Sequence, residues 1–398
     1  MAVVPTILCL TSFEKGQDLM RECKALGARV LLLTVESLRD AAWPRDILAE
    51  VYLMPSLYER EPVLRAVSYL ARAERIDRII ALDELNVDMA AALREHLQVP
   101  GLEESTANHF RDKLAMRVQA RGQGVLMPRF TALFPYNEVR RFLSDVPSPW
   151  VLKPRTEASA VGIRMLRHAD ELWRVLEELG DRQSHHLLEE FIAGEVYHAD
   201  AIVVNERVVI CEAHRYFRPP FDVYHGGGLF RTSTLPRHDV ETYQLQLITQ
   251  QIASALGLDH GIMHAEFIRG ADGRFYFLET AARVGGAYIN ELVEAATGLN
   301  LWREWARLEV GVARGEAYSL PPLREEYGGV IMSLARQEWP DTSAYADAEI
   351  VYRIVKSHHA GFVLASTRHQ RISELLDDYS QRFMRDFHAT LPPQQSLR

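Results

Sequence analysis

Glu266 and Glu279 lie in the run HAEFIRGADGRFYFLETAARVGG, residues 264–286. Asp272-Gly273 separates two stretches rich in strand formers. Asp-Gly is a strong signal for a two-residue hairpin turn, because a type I′ turn needs positive φ at both central residues. With that pair as the loop, Ala271 pairs with Arg274, and counting outward sets Glu266 opposite Glu279. Directly opposed residues have Cβ atoms about 4.5–5.5 Å apart on one face of the sheet. Two carboxylates so placed repel, so one takes up a proton unless a cation sits between them. A hard divalent ion, Mg²⁺ above all, relieves the repulsion, and Mg²⁺ held by one or two carboxylates usually also holds phosphates. The pair therefore points to a nucleotide site. Taken alone it also fits a surface hairpin with two solvated glutamates, but Phe267, Ile268, Phe275, Phe277 and Leu278 crowd it with apolar side chains. Arg283, on a Gly285-Gly286 loop that leads into a helix, has the character of an anion-binding group.

Other charged groups carry complementary chemistry. Lys153 ends the strand-like run Val151–Lys153 ahead of a small-residue segment, Thr156–Gly162, whose N–H groups and Ser159 suit a phosphate; an ordinary strand-end lysine reads the same way. The run Leu188 to Glu195, LEEFIAGE, is a strand leading to a turn. Its backbone at Glu189, Glu190, Phe191 and Ile192 suits an adenine edge and Glu195 suits ribose hydroxyls, although a solvated acidic strand end also fits. Asp83 and Glu84 follow a buried strand and either meet a substrate amine or cap the next helix. The segment His214–Thr234 holds Arg215, Tyr216, Phe217, Arg218 and three glycines, which suits either a substrate clamp or a mobile surface loop. His264 falls opposite Ala281 in the hairpin register, facing the same way as Glu266, as a base or as a structural histidine.

The elements that position these groups follow from periodicity. Residues 1–100 alternate strand and helix: strands at Thr6–Leu10, Val30–Thr34, Val51–Met54 and Arg78–Leu82, helices at Gln17–Leu26, Pro62–Glu74 and Glu84–Leu97. That pattern predicts a parallel sheet covered by helices, with ligands at the carboxyl ends of its strands. The first loop has no G-x-G-x-x-G, which argues against a dinucleotide. Beyond it the spacing predicts one helix from Ser105 or Thr106 to Gly122 carrying Lys113, strands at Trp150–Lys153, Gly162–Leu166 and Leu187–Ile192, a strand pair over 196–212, a long loop, a helix over Val240–Leu256, the hairpin, and a helix over Tyr288–Thr297. Strands near Gly329–Leu334, Ile350–Val355 and Gly361–Ser366 and a helix over Ile372–Phe387 read as a small α+β lobe.

The chain has 398 residues, 47% of them hydrophobic and 25% charged, as in an ordinary soluble protein of two or three domains. A formal net charge of −9 excludes general nucleic-acid binding. The three cysteines form no CxxC, so a reduced, cytoplasmic setting is expected. No leader and no membrane span are expected.

A helical lysine, a strand lysine, an acidic-apolar-Gly-Glu run and a Glu/Glu hairpin followed by Arg-x-Gly-Gly, in this order, resemble the ATP-grasp superfamily over roughly residues 1–310. The resemblance implies an α/β and α+β ATP-grasp fold in which two α+β subdomains clasp ATP: a Rossmann-like domain over 1–100, ATP-grasp subdomains A and B over 101–192 (B about 150–190), the ATP-grasp C-terminal subdomain with the metal hairpin over 193–310, and the small α+β lobe over 311–398. It implies that Lys113 and Lys153 contact phosphate, that Glu189, Glu190, Phe191 and Ile192 meet adenine, and that Glu195 binds ribose. Glu266 and Glu279 become the Mg²⁺ ligands, with Mn²⁺ an acceptable substitute, and Arg283 steadies an acyl-phosphate or a substrate carboxylate. Arg283 and Lys153 are the catalytic pair. The substrate set is Glu84, His214, Arg215, Tyr216, His264, Arg283, Gly285 and Gly286. HAEF with ETAARVGG looks most like the amino-acid (dipeptide) ligase branch. The implied activity joins a small-molecule carboxylate to an amine through an acyl-phosphate, with release of ADP and phosphate. Other readings are another acceptor, as in carboxylase- or purine-pathway-like enzymes, or a catalytically decayed nucleotide-binding protein. Implied partners are the two small substrates, with neither nucleic acid nor membrane, and a homodimer is allowed for. Two features depart from the family pattern. Ala281 stands where E-x-N-x-R has a metal-ligating Asn, and the phosphate-covering segment 156–162 has one glycine.

Overall fold

The structure is a computed structural model that describes residues 4–157 and 161–390. Its strands are β1 (Thr6–Thr11), β2 (Arg29–Val35), β3 (Glu50–Met54), β4 (Arg78–Ala81), β5 (Phe130–Ala132), β6 (Trp150–Pro154), β7 (Arg164–Leu166), β8 (His186–Glu190), β9 (Gly194–Val204), β10 (Arg207–Tyr216), β11 (Phe230–Thr234), β12 (His260–Gly270), β13 (Phe275–Ala281), β14 (Tyr327–Leu334), β15 (Ile350–Arg353) and β16 (His359–Ser366). They form three sheets in the orders β3-β2-β1-β4, β5-β8-β6-β7 and β13-β12-β9-β10-β11-β14-β16-β15.

The first sheet is parallel, as continuous apolar runs such as TILCLT and RVLLLTV require when both faces are covered. Side chains alternate along each strand. Ile7 and Cys9 pack toward Leu19, Met20 and Cys23 of the helix Gln17–Ala25. Leu8 and Leu10 pack toward the helices Arg60–Leu70 and Val87–Leu97. The helix Leu301–Arg314, absent from the sequence expectations, joins the first of these faces through Trp305 and Val310, although Asn300 caps it as a sequence signal would have it. It is tied to the first sheet by the buried ion pair of Arg78 with Glu309 at 2.6 Å.

Four local expectations change. The predicted helix from 105 to 122 is two, Glu104–Asn108 and Lys113–Gly122. Asp112 breaks it because its carboxylate accepts from the N–H groups of Leu114 and Ala115, at 2.8 and 3.1 Å, and so starts a new helix. The segment 214–234 is not a loop throughout: it contains the short helix Pro220–Gly226 and the strand β11. The strands of the tail hydrogen-bond onto β11 through β14, so they continue the long antiparallel sheet.

The fourth change concerns the hairpin. Glu266 does face Glu279, and His264 faces Ala281, but the inner pairs are Phe267 with Phe277, Ile268 with Tyr276 and Arg269 with Phe275. The turn is a three-residue loop, Ala271–Gly273, closed by the Gly270 N–H to the Arg274 carbonyl at 3.0 Å. Only Gly273 of the loop takes positive φ, at 76°, whereas a type I′ turn would need it at Asp272 too. A bulge that skips Leu278 restores the outer register. Two one-residue shifts cancel, so the glutamates meet for a different reason from the one the Asp-Gly signal supplied.

Candidate active site

A cleft of about 700 Å³ lies between the β5-β8-β6-β7 sheet and the face of the long sheet that carries the hairpin. Its lining includes Lys113, Lys153, Glu266, Glu279, Arg283 and Glu84. These come from three different sheets and their loops, which is why no single stretch of sequence contains the site.

Each of these six charged groups has a partner. Lys113, the first residue of its helix, donates to the Glu157 carbonyl at 2.6 Å and lies 3.0 Å from Glu279 Oε2. Lys153, near the end of β6, lies 2.6 Å from Glu189 Oε2. Arg283 donates to Glu84, and so ties the loop after β13 to the carboxyl end of β4. Burial would raise the Glu84 carboxyl, but Arg283, Lys113 and Arg111 outweigh it and hold Glu84 down at about 2. Glu84 is therefore an anion, locked between guanidinium groups. Asp83 does cap the turn after β4, accepting from the Asn86 N–H, and also takes the Thr11 hydroxyl and the Ser12 N–H.

Several expected contacts fall elsewhere. The Glu189 side chain is buried and accepts from Arg117 and Lys153, so its carboxylate underpins Lys153, while Glu189 and Glu190 both line the cleft. Glu190 forks onto Arg129 at 2.9 Å through two bonds. Phe191 and Ile192 do line the cleft. On β9, Gly194 and Val196 line the cleft; Glu195 alternates with them and turns the other way, to Arg215 and the Tyr197 hydroxyl. Strand alternation thus turns Glu195 and Arg215 together away from the cleft, against the ribose and substrate roles expected of them. His214 is fully buried with its ring stacked on His198, centroids 4.6 Å apart, so it lies beneath the site. Ser159 lies outside the described residues. Tyr216, His264 and Gly286 line the cleft as expected of substrate-side groups. Gly285 lies against the floor: a Cβ there would sit 3.0 Å from Asp200 Oδ1 and 3.1 Å from His264 Nδ1.

That floor is a polar network which no sequence expectation included. His198 Nδ1 and His264 Nδ1 bond the two oxygens of Asp200, at 2.7 and 2.9 Å, and His198 Nε2 meets the Thr232 hydroxyl at 2.7 Å. The Tyr216 hydroxyl donates to Glu266 Oε1 at 3.1 Å. Burial opposes charge on His264, yet the Asp200 carboxylate, seconded by Glu266, carries it up to about 10. Burial instead lowers His198 and His214. The signal for this network was present as period-2 spacing: His198-x-Asp200, His214-x-Tyr216 and His264-x-Glu266 put polar groups on one face of three neighbouring strands. Arg111 was also missed. It lies under Glu84 with its guanidinium fully buried, 3.8 Å from that carboxylate.

The donor set suits a hard divalent ion. Glu266 and Glu279 are cross-strand partners that both line the cleft, and Glu279 is 34% exposed toward it. The cation that now offsets Glu279 is Lys113, a group that phosphate can engage once a metal takes over the carboxylate. Ala281, buried opposite His264, offers no ligand.

The ATP-grasp domain family matches residues 146–291. The L-arginine-specific L-amino acid ligase of Bacillus subtilis is 20% identical over 319 residues, 76% of each chain. The D-alanine–D-alanine ligase of Neisseria gonorrhoeae is 23% identical over 172 residues, 42% of this chain and 56% of that one. The crystal structure of an L-amino acid ligase from Bacillus licheniformis superposes with a TM-score of 0.75 at 17% identity, over 96% of this chain and 98% of that one. The three sheets and the cleft between them have the ATP-grasp fold. Residues 146–291 thus match the ATP-grasp domain family, and the chain as a whole is similar to L-amino-acid ligases.

Proposed function

We propose that this protein is an ATP-dependent carboxylate–amine ligase that joins an amino acid, or a related small acid, to an amine. The observation that carries this reading is the convergence in one cleft of an opposed carboxylate pair, Glu266 and Glu279, with Lys113, Lys153 and Arg283. Opposed carboxylates match Mg²⁺, the lysines match phosphate oxygens, and a guanidinium fork matches a carboxylate or an acyl-phosphate. The metal, when bound, neutralises charge on the transferred phosphoryl group.

The chain's own groups do the rest. Lys153, steadied by Glu189, and Lys113, released from Glu279, hold the phosphates in line with the substrate carboxylate, so the step is chiefly positioning and electrostatics. The substrate carboxylate attacks the γ-phosphorus and ADP leaves. Arg283, oriented by Glu84, holds the acyl-phosphate while the amine attacks its carbonyl carbon and phosphate departs. Phe191, Ile192, Ile268 and Leu278 give the cleft an apolar wall that keeps water from the acyl-phosphate. Expected partners are the two small molecules.

Pairwise incubation of amino acids with ATP and Mg²⁺, read by phosphate release and product mass, tests the reading. The expected product is the sum of two amino acids less water. Phosphate release that depends on bicarbonate or formate and not on amino acids would move the protein to another acceptor, and none with any acid would leave a nucleotide-binding protein without catalysis. Glu279→Gln is expected to lower phosphate release by at least about 100-fold, because one ligand of the metal pair loses its charge.

A further inference from the structure

The carboxylate pair has a third neighbour. His264 precedes Glu266 by two residues on β12, so both side chains leave the same face of the strand. Its ring occupies the position across from Ala281, whose methyl group leaves the ring room. The ring lines the cleft, and Nε2 lies 3.5 Å from Glu266 Oε1. A contact of that length between two ligand atoms is what a shared ion would bridge.

The other ring nitrogen is committed. Nδ1 is 2.9 Å from Asp200 Oδ1, while Asp200 Oδ2 takes His198 Nδ1 at 2.7 Å and His198 Nε2 meets Thr232 at 2.7 Å. Histidines that bind metals almost always donate the second ring N–H to a carboxylate or carbonyl, which fixes the ring and raises its basicity. Here the carboxylate has a support of its own, and every member of the chain Thr232–His198–Asp200 is buried. A side chain at Gly285 would press on both Asp200 Oδ1 and His264 Nδ1, so the loop after the hairpin has the one residue type that leaves the pair undisturbed. His198, Asp200 and His264 are themselves close enough to enclose an ion, with ligand atoms within 4.8 Å of one another. Both Asp200 oxygens are already taken by ring nitrogens, however, and only His264 reaches the cleft.

We propose that His264 Nε2 is the third protein ligand of the divalent metal held by Glu266 and Glu279, with Asp200 as its positioning residue, so that the centre is a mixed nitrogen–oxygen site better suited to Mn²⁺ than to Mg²⁺. Mg²⁺ favours all-oxygen octahedra, whereas imidazole suits transition ions and Mn²⁺ accepts both donor types. The ligand absent from β13 at Ala281 is thereby supplied from across the hairpin. A metal and a proton compete for the lone pair of this nitrogen. The proposal rests on the assignment of Glu266 and Glu279 as metal ligands.

The test is electron–nuclear double resonance on Mn²⁺ bound to the full chain with ADP, in protein made with ordinary and with ¹⁵N-labelled histidine. The expected result is a nitrogen coupling that changes with the label, is absent in His264→Gln, and goes with Mn²⁺ binding at least tenfold weaker in that variant and about 10- to 100-fold weaker in Asp200→Asn. The spectrum of the unaltered protein decides the matter even if a variant fails to fold. Mn²⁺ that binds through Glu266 and Glu279, as shown by its loss in Glu279→Gln, but has no histidine coupling would overturn the proposal and leave the proposed function standing. Mn²⁺ binding that ignores Glu279→Gln would overturn both.

Discussion

Replacing Glu189 by Gln separates two roles for an acidic residue beside a nucleotide cleft. The sequence placed the Glu189 backbone against adenine and left its carboxylate unassigned; the structure puts that carboxylate, 1% exposed, between Arg117 and Lys153. Arg117 is wholly buried; its Nε meets Glu189, and its two terminal nitrogens have no hydrogen-bond partner among the described residues. Removing the negative charge leaves that guanidinium buried and uncompensated, a change that costs about 3–5 kcal/mol in comparable buried pairs. The ionisation of Glu189 gives a second route to the size. Burial would raise its carboxyl, but Arg117 and Lys153 pull it from 4.5 to about 2. At about 1.4 kcal/mol per pH unit this corresponds to about 3 kcal/mol. Because the folded carboxyl is the stronger acid, the stabilisation is fully present above pH 4.5 and is lost as pH falls toward 2. Thermal unfolding followed by tryptophan fluorescence reports the change, since Trp150 and Trp173 pack in the same core as Leu188. The expected fall in Tm at pH 7 is roughly 4–6 °C for a chain of this length, narrowing below pH 4.5, with ADP affinity changed only a few-fold because Lys153 keeps its place on β6. A variant as stable as the parent that binds ADP more than about tenfold more weakly would refute the buried-pair account and return Glu189 to the nucleotide.

Arg283→Lys removes the planar fork that Glu84 orients and is expected to lower kcat/KM for amide formation on the order of 100-fold; an unchanged rate would remove Arg283 from the acyl-phosphate. Gly273→Ala tests the turn of the hairpin that carries Glu266 and Glu279. Apart from its chain neighbours, no atom of the described residues lies within 4 Å of the added Cβ, so the expected loss of about 1 kcal/mol in equilibrium unfolding arises from the φ of 76°. Gly273→Asn should recover part of it, and a neutral Ala variant would mean that the turn is not left-handed at this position.

The sequence by itself determined the parts that depend on neighbours along the chain. Apolar runs over β1, β2 and β4 force a buried parallel sheet, since only helices on both faces can cover them. A hairpin at Asp272-Gly273 with Glu266 facing Glu279, a lysine near the end of β6 and an arginine before Gly-Gly were all readable from residue type and spacing. Tertiary structure decided which way the remaining side chains face and what they meet. Glu195 was assigned by order along the chain, but a strand shows alternate residues to opposite faces, and pairing with Arg215 holds it off the cleft. Glu189 was assigned by its place in an acidic run, but two cations distant in sequence, Arg117 and Lys153, converge on it. Arg111 was silent because a buried polar residue declares itself only through its partners, and the period-2 spacing of His198 and Asp200 gains meaning only once β9, β10 and β12 are neighbours. The glutamate pair shows both sides of this division. Its register could be counted from the turn, yet the three-residue loop and the compensating bulge were settled by packing, because Phe267 and Phe277 share the core beneath the hairpin and only a bulge at Leu278 lets them do so while the carboxylates still face each other.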